Sequence, residues 1–180
     1  MHPKPREEIL TARLRLTRLS LHDAAAMFRA IEKNRTHLGA WLPWVDKTRK
    51  EADSRFNIEL QHEAWELGSV YDFAFYTQDG SFLGRGGLHT IDWSVPCGEF
   101  GYWLTEKAQG QGYLSEAIAA LETEFFNLGF ERLEIRCDPR NTRSAKVAER
   151  LGYILEGVLR RETRFQGTLR DTMVWAKLRS

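Results

Sequence analysis

Disulfide pairs, long apolar runs and a dominant sign of charge are all lacking in this chain of 180 residues. Its two cysteines, Cys97 and Cys137, form no C-x-x-C pair. That excludes a disulfide framework and leaves zinc and dithiol redox readings without support. No stretch approaches the roughly 18 apolar residues that a spanning helix needs. The opening, Met1 to Glu8, is short and polar and lacks the apolar centre of a secretory signal, so a cytoplasmic location is expected. Lys plus Arg (26) nearly balances Asp plus Glu (25), which gives no argument for nucleic acid or a membrane as main partner. With no linker, repeat or low-complexity tract, one domain over 1–180 is expected.

What is there is ordinary globular patterning. Residues 12–19 alternate Leu with polar side chains, the period of a half-buried strand. Ser20 opens a helix with Asp23 in capping-box position, and Ala24, Met27, Phe28 and Ile31 form its inward stripe. The segment His37 to Val45, broken by Gly and Pro, reads as a Trp-rich loop. A helix follows over 50–67, with Phe56, Leu60, Ala64 and Leu67 on one face. Strands are predicted over 70–77, 81–92 and 99–104. After them come a helix over 110–128 closed by Gly129, a strand over 132–137, a short helix over 141–151 and a final hairpin through Gln166-Gly167. This order implies an α+β (mixed α/β) fold. Its core is a central, largely antiparallel twisted sheet of about seven strands flanked by helices.

The sharpest local feature is E-F-G-Y-W-L-T-E-K-A-Q-G-Q-G-Y-L-S-E-A, residues 99–117. A strand ends, and two glycines, Gly110 and Gly112, open a long amphipathic helix. Glycine lets backbone approach an anion with no Cβ in the way. The first-turn N–H groups and the helix dipole favour a phosphate there. These residues alone are equally consistent with a plain glycine turn. There is no G-K-[ST], and G-x-G-x-x-G would need glycine at Ser115, so neither common nucleotide loop applies.

Gln109-Gly110-Gln111-Gly112-Tyr113 resembles the Q/R-x-x-G-x-G/A pyrophosphate loop of the GNAT superfamily of N-acetyltransferases, with Leu114 where Gly or Ala is usual. Downstream, Asn141-x-x-Ser144-x-x-Val147-Ala148-Glu149-Arg150-Leu151-Gly152-Tyr153 is similar to the superfamily's N-x-x-A-x-x-L-Y-E-K-L-G-F helix, and Glu156-Gly157 to its following E-G pair. Thr11 to Leu16, His37-Leu38-x-x-Trp41-Leu42-Pro43-Trp44, Gly101-Tyr102-Trp103-Leu104 and the run 156–162 further resemble the RimJ/RimL branch, which acetylates protein N-termini, notably of ribosomal proteins.

The resemblance implies acetyl-CoA as co-substrate, no metal, and transfer to a primary amine by direct attack in a ternary complex. The acceptor is expected to be a protein N-terminus, and a homodimer is compatible. Tyr102, Trp103, Leu104, Gln109, Gly110, Gln111, Gly112, Tyr113, Leu114, Asn141 and Ser144 would bind acetyl-CoA, at a point where the strands splay. Ala148 stands where many relatives place a Tyr acid, so Ser144 is the expected proton or hydrogen-bond donor to the leaving thiolate. Glu99 and Glu162 are the candidate bases, with Thr163 the alternative register for Glu162. His37, Trp41 and Trp44 are expected to wall the acceptor mouth. Cys137 lacks a credible His partner for nucleophilic work, His89 being the one on a neighbouring strand. Arg160, Arg161, Arg164 and Arg170 on the last hairpin are either a steering patch or a solvated face. Two rivals remain: acetylation of a small amine such as an antibiotic or polyamine, and a non-catalytic acyl-CoA-binding module.

Overall fold

The computed structural model describes residues 2–180. Its centre is one eight-stranded sheet in the order β1-β2-β3-β4-β5-β6-β8-β7. The strands are β1 (Glu8–Leu10), β2 (Leu14–Arg18), β3 (Tyr71–Thr77), β4 (Phe82–Asp92), β5 (Cys97–Leu104), β6 (Arg132–Cys137), β7 (Ile154–Phe165) and β8 (Thr168–Leu178). The sequence predicts seven of these. The eighth, β1, is a three-residue edge strand too short to show a period.

Every neighbouring pair is antiparallel except β5 and β6, which run parallel. That one pair has a register of only four residues, from Cys97↔Arg132 to Phe100↔Ile135. On its other side β5 stays paired with β4 as far as Leu104. β6 stays paired with β8 as far as Cys137. The two strands therefore fork beyond Phe100 and Ile135, and Gly101 to Leu104 present a free backbone edge into the gap.

Helices cover both faces. α4 (Tyr113–Asn127) and α5 (Thr142–Arg150) lie on one. There Ala117, Ile118, Leu121 and Phe125 bury against Tyr71, Phe73, Leu88, Phe100, Leu133 and Ile135. α1 (Ala24–Lys33) and α2 (Arg35–Gly39) lie on the other, where Met27, Ile31, Leu38 and Val45 meet Ala74 and Trp103. The Ser20–Asp23 capping box forms as read: Asp23 accepts the Ser20 backbone N–H at 2.6 Å. The Trp-rich segment is more ordered than a loop, being α2 followed by a 3-10 turn over Pro43–Lys47.

The long helix α3 (Glu51–Leu67) corrects the sequence reading. Phe56, Leu60 and Leu67 are exposed, and the inward face is Ser54, Ile58 and Trp65. Trp65 sets the rotation. Its ring stands edge-on to Tyr71 at 5.0 Å and to Phe73 at 5.2 Å, and the Arg18 guanidinium covers it at 4.9 Å. This aromatic cluster, together with Ile58 in the core, decides which side turns inward and leaves Phe56, Leu60 and Leu67 at the rim. No described helix is long and apolar enough to cross a membrane.

Phe125 is the hub of the α4 face, touching Tyr71, Phe100 and Phe130 with no exposed surface. Phe125→Ala is expected to cost about 3–5 kcal/mol of stability, read by urea denaturation.

Candidate active site at the strand fork

The loop at the mouth of the fork folds for local reasons. Gly110 (φ +73°) and Gly112 (φ +80°) both adopt the left-handed backbone that side chains disfavour. Gly112 is the N-cap of α4, and no side chain caps the helix. Its first-turn N–H groups thus face the opening with the positive end of the dipole behind them. A Cβ on Gly110 would meet nothing within 4 Å, so the cradle is open on that side. The side chains of the loop are tied back. Gln111 Nε2 donates to the Lys107 carbonyl at 2.7 Å, and Gln109 is held between Arg143 and His37. Leu114 and Tyr113 pack on the core. Leu114, the one departure from the motif, is accommodated because its side chain turns inward. The ligand surface of the loop is backbone, which suits a pyrophosphate.

Asn141 caps α5, its side chain accepting the Ser144 backbone N–H at 3.2 Å. This places Ser144 where its hydroxyl lies 2.9 Å from the Tyr102 hydroxyl. Tyr102, on the free edge of β5, is half-buried, and burial raises its phenol well above the ordinary value. Cys137, ending β6, is buried beside Ser144 and Trp175, and burial pushes its thiol up, away from a nucleophilic thiolate. Tyr102, Ser144 and Cys137 form a hydroxyl-and-thiol cluster on the α4–α5 face of the fork.

The opposite face carries carboxylates. Glu99 is paired across β5–β6 with Glu134. Its carboxylate lies 3.8 Å from Arg136 Nε and 4.0 Å from His89 Nε2. Burial is the main cause that pushes Glu99 up to about 7; Arg136 opposes the rise, and the charges of Glu134 and Glu162 add to it. Glu162 reaches this face because β7 bulges between Leu159 and Thr163, with Arg161 at φ +54°. The bulge turns Glu162 onto Thr172, whose hydroxyl donates to it at 2.8 Å. Thr163 instead pairs with Arg170.

The sequence-predicted residues divide three ways. Tyr102, Ser144 and Asn141 gather at one side of the fork, Glu99 and Glu162 at the other, and Gln109 to Leu114 at its mouth. Trp103 and Leu104 flank the free edge, but their side chains are buried on opposite faces, leaving backbone as what they can offer. His37 was expected on the acceptor wall. Its Nε2 accepts from Gln109 Nε2 at 2.5 Å, so it braces the glycine loop. Trp44 packs tilted on Trp103 at 6.2 Å, and Trp41 is half-buried after α2. Sequence reasoning gave His89 only a doubtful pairing with Cys137. The two lie on opposite faces, and His89 stands beside Glu99. The antiparallel register His89↔Glu99 carries that signal, and it is visible only once the strands are paired. Among the described residues no group of three or more His, Cys, Asp or Glu is placed to hold a metal.

An uncapped glycine loop at a fork in the sheet, with hydroxyls on one face and a raised carboxylate on the other, suits an acyl-CoA transferase. Residues 13–154 match the family described as Acetyltransferase (GNAT) domain, and the chain belongs to that family. It is an acyl-CoA-dependent N-acetyltransferase. The ribosomal-protein-serine acetyltransferase of Escherichia coli (strain K12) is 30% identical over 166 residues, covering 89% of this chain and 92% of that one. A solved structure of RimL, a ribosomal L7/L12 alpha-N-protein acetyltransferase in complex with coenzyme A, superposes with a TM-score of 0.92. It is 25% identical and covers 96% of this chain and 98% of that chain. The microcin C7 self-immunity acetyltransferase MccE, in complex with acetyl-CoA and AMP, shares the fold at a TM-score of 0.90 and 24% identity. That match covers 93% of each chain.

Gly112→Glu would place a strained side chain and a negative charge at the helix terminus, 3.4 Å from Arg13 at its Cβ. It is expected to weaken acetyl-CoA binding by about tenfold or more in calorimetric titration.

Proposed function

We propose that this enzyme acetylates the N-terminal α-amine of a protein of the ribosomal type, in the cytoplasm, by direct attack in a ternary complex. The observation that carries the chemistry is the pairing of Glu99 on one face of the fork with Tyr102 and Ser144 on the other. The acceptor class rests on the 30% identity with a ribosomal-protein-serine acetyltransferase over 89% of the chain.

Acetyl-CoA supplies the thioester, and its pyrophosphate suits the backbone of Gly110 to Gly112. The free edge of Gly101 to Leu104 offers backbone groups to the pantetheine arm. Glu99 takes the amine proton, a role suited to a carboxyl held near 7. Ser144 donates a hydrogen bond to the leaving thiolate, its hydroxyl oriented by Tyr102 at 2.9 Å. Glu162 raises Glu99 by its charge, the part it plays in place of a second base. Trp41 and Trp44 shape the acceptor side.

A base must be ionised to act, so the rate is expected to rise as pH climbs through about 7 and to level above it. Glu99→Gln is expected to lower kcat by about a hundredfold and to flatten that rise. Because Glu99 holds its proton more tightly when folded, the folded state loses stability as pH rises from 4.5 to about 7 and the loss is complete above that, so the Gln variant is expected to be at least as stable as the parent at neutral pH. Ser144→Ala is expected to lower kcat by more than about tenfold with acetyl-CoA affinity nearly unchanged. The acceptor is tested by comparing a serine-led peptide with spermidine. Faster turnover of the peptide supports the assignment, and preference for spermidine overturns it.

A further inference from the structure

The reaction of a protonated amine with a thioester forms one C–N bond and breaks one C–S bond. The nitrogen loses two protons and the departing sulfur gains one. Each turnover therefore releases one proton, which must travel from a carboxylate whose side chain is only 23% exposed to bulk water. Glu99 has few ways to pass it on. Arg136 beside it cannot accept a proton, and Glu134 is already engaged with Arg132 and Arg136 at 2.8 Å. Glu162 is held by Thr172. The remaining neighbour is His89.

His89 lies directly across the β4–β5 pair from Glu99. Its Nε2 is 4.0 Å from Glu99 Oε1, and its Nδ1 is 2.9 Å from the Thr90 hydroxyl. Two features hold the ring there. Gly101 leaves the volume it occupies: a Cβ at 101 would stand 2.7 Å from Nε2 and 2.9 Å from Cδ2. Thr90 takes a left-handed backbone (φ 52°) where the register slips after His89. Behind the ring, buried Asp72 favours the imidazolium by its charge while itself paired to Arg85 at 3.3 Å; Arg85 also donates to Asn57 of α3 at 2.6 Å. The imidazole keeps 39% of its side-chain surface exposed, more than Glu99 does. It thus stands within ion-pair distance of the carboxylate on one side and reaches solvent on the other.

We propose that His89 is a positioning and proton-exit residue for Glu99: its imidazole takes the proton that Glu99 draws from the amine and releases it to water, with Asp72 steadying the charged ring. The inference rests on Glu99 being the base. Burial holds the ring below its usual value, so it rests neutral at pH 7 and gives up a proton to water readily, and Asp72 limits that fall.

The experiment compares the full-length parent, Glu99→Gln, His89→Ala and His89→Gln with acetyl-CoA and a serine-led peptide, across pH and with added imidazole. His89→Ala is expected to lose about tenfold in kcat, with KM for acetyl-CoA unchanged, and to regain rate as imidazole is added. His89→Gln fills the same space without carrying a proton, so it is expected to stay slow and ignore imidazole. If Glu99→Gln is slow while His89→Ala runs at the parental rate, or stays slow without responding to imidazole, this inference fails and the base assignment stands. If Glu99→Gln runs at the parental rate, the base assignment falls and His89's role with it.

Discussion

The structure turns on the short parallel pairing of β5 and β6. Seven of the eight strands could be wound as an antiparallel meander and hairpin with no opening at all. The parallel pair requires a crossover, which here is α4, and the crossover begins at the point where the pair has already parted. A parallel register of four residues leaves unpaired backbone on β5, an exposed helix N-terminus beside it and a gap through the sheet. Each of these is unfavourable as pure structure, because backbone polar groups want partners. Each suits an extended ligand with a phosphate at one end and a thioester at the other.

The gap also separates two chemistries that would otherwise interfere. On the α4–α5 face Tyr102, Ser144 and Cys137 sit among apolar side chains, and burial raises both the phenol and the thiol. These groups keep their protons and can donate hydrogen bonds. On the other face Glu99 is also raised by burial, but only to about 7, because Arg136 opposes the rise. The same physical cause therefore leaves groups that keep their protons on one side and a carboxyl poised near neutrality on the other. The sheet between them leaves the fork as their meeting place.

Side chains that do no chemistry hold this arrangement. His37 and Arg143 clasp Gln109 from α2 and α5, and Asn34 accepts the Glu106 backbone N–H at 2.9 Å just before the loop. Arg13 reaches from the start of β2 to the Gln111 carbonyl at 2.9 Å and lies over the Tyr113 ring. The glycine loop is thus braced from three sides while its backbone faces outward. Arg170, read in the sequence as part of a basic patch, lies over Phe165 and faces Asp138, so it belongs to the hairpin's own packing.

The sequence by itself determined what depends on neighbours a few residues apart. The glycine pair at 110 and 112, the Ser20–Asp23 box and the amphipathic period of α4 are local rules of backbone and period, and each was legible. The family motifs were legible for the same reason, being contiguous. Tertiary structure decided whatever depends on distant partners. The rotation of α3 follows from Trp65 meeting Tyr71 and Phe73, which helical period alone does not reveal. His37 braces a loop more than sixty residues away. The choice of Glu162 over Thr163 at the carboxylate face follows from a bulge, which shifts register by one and so exchanges the faces of a strand. His89 meets Glu99 only through strand pairing, and Glu99 gains its raised affinity for a proton mainly through burial. A sequence carries charges and periods; their distances and their access to water arise only when the sheet closes.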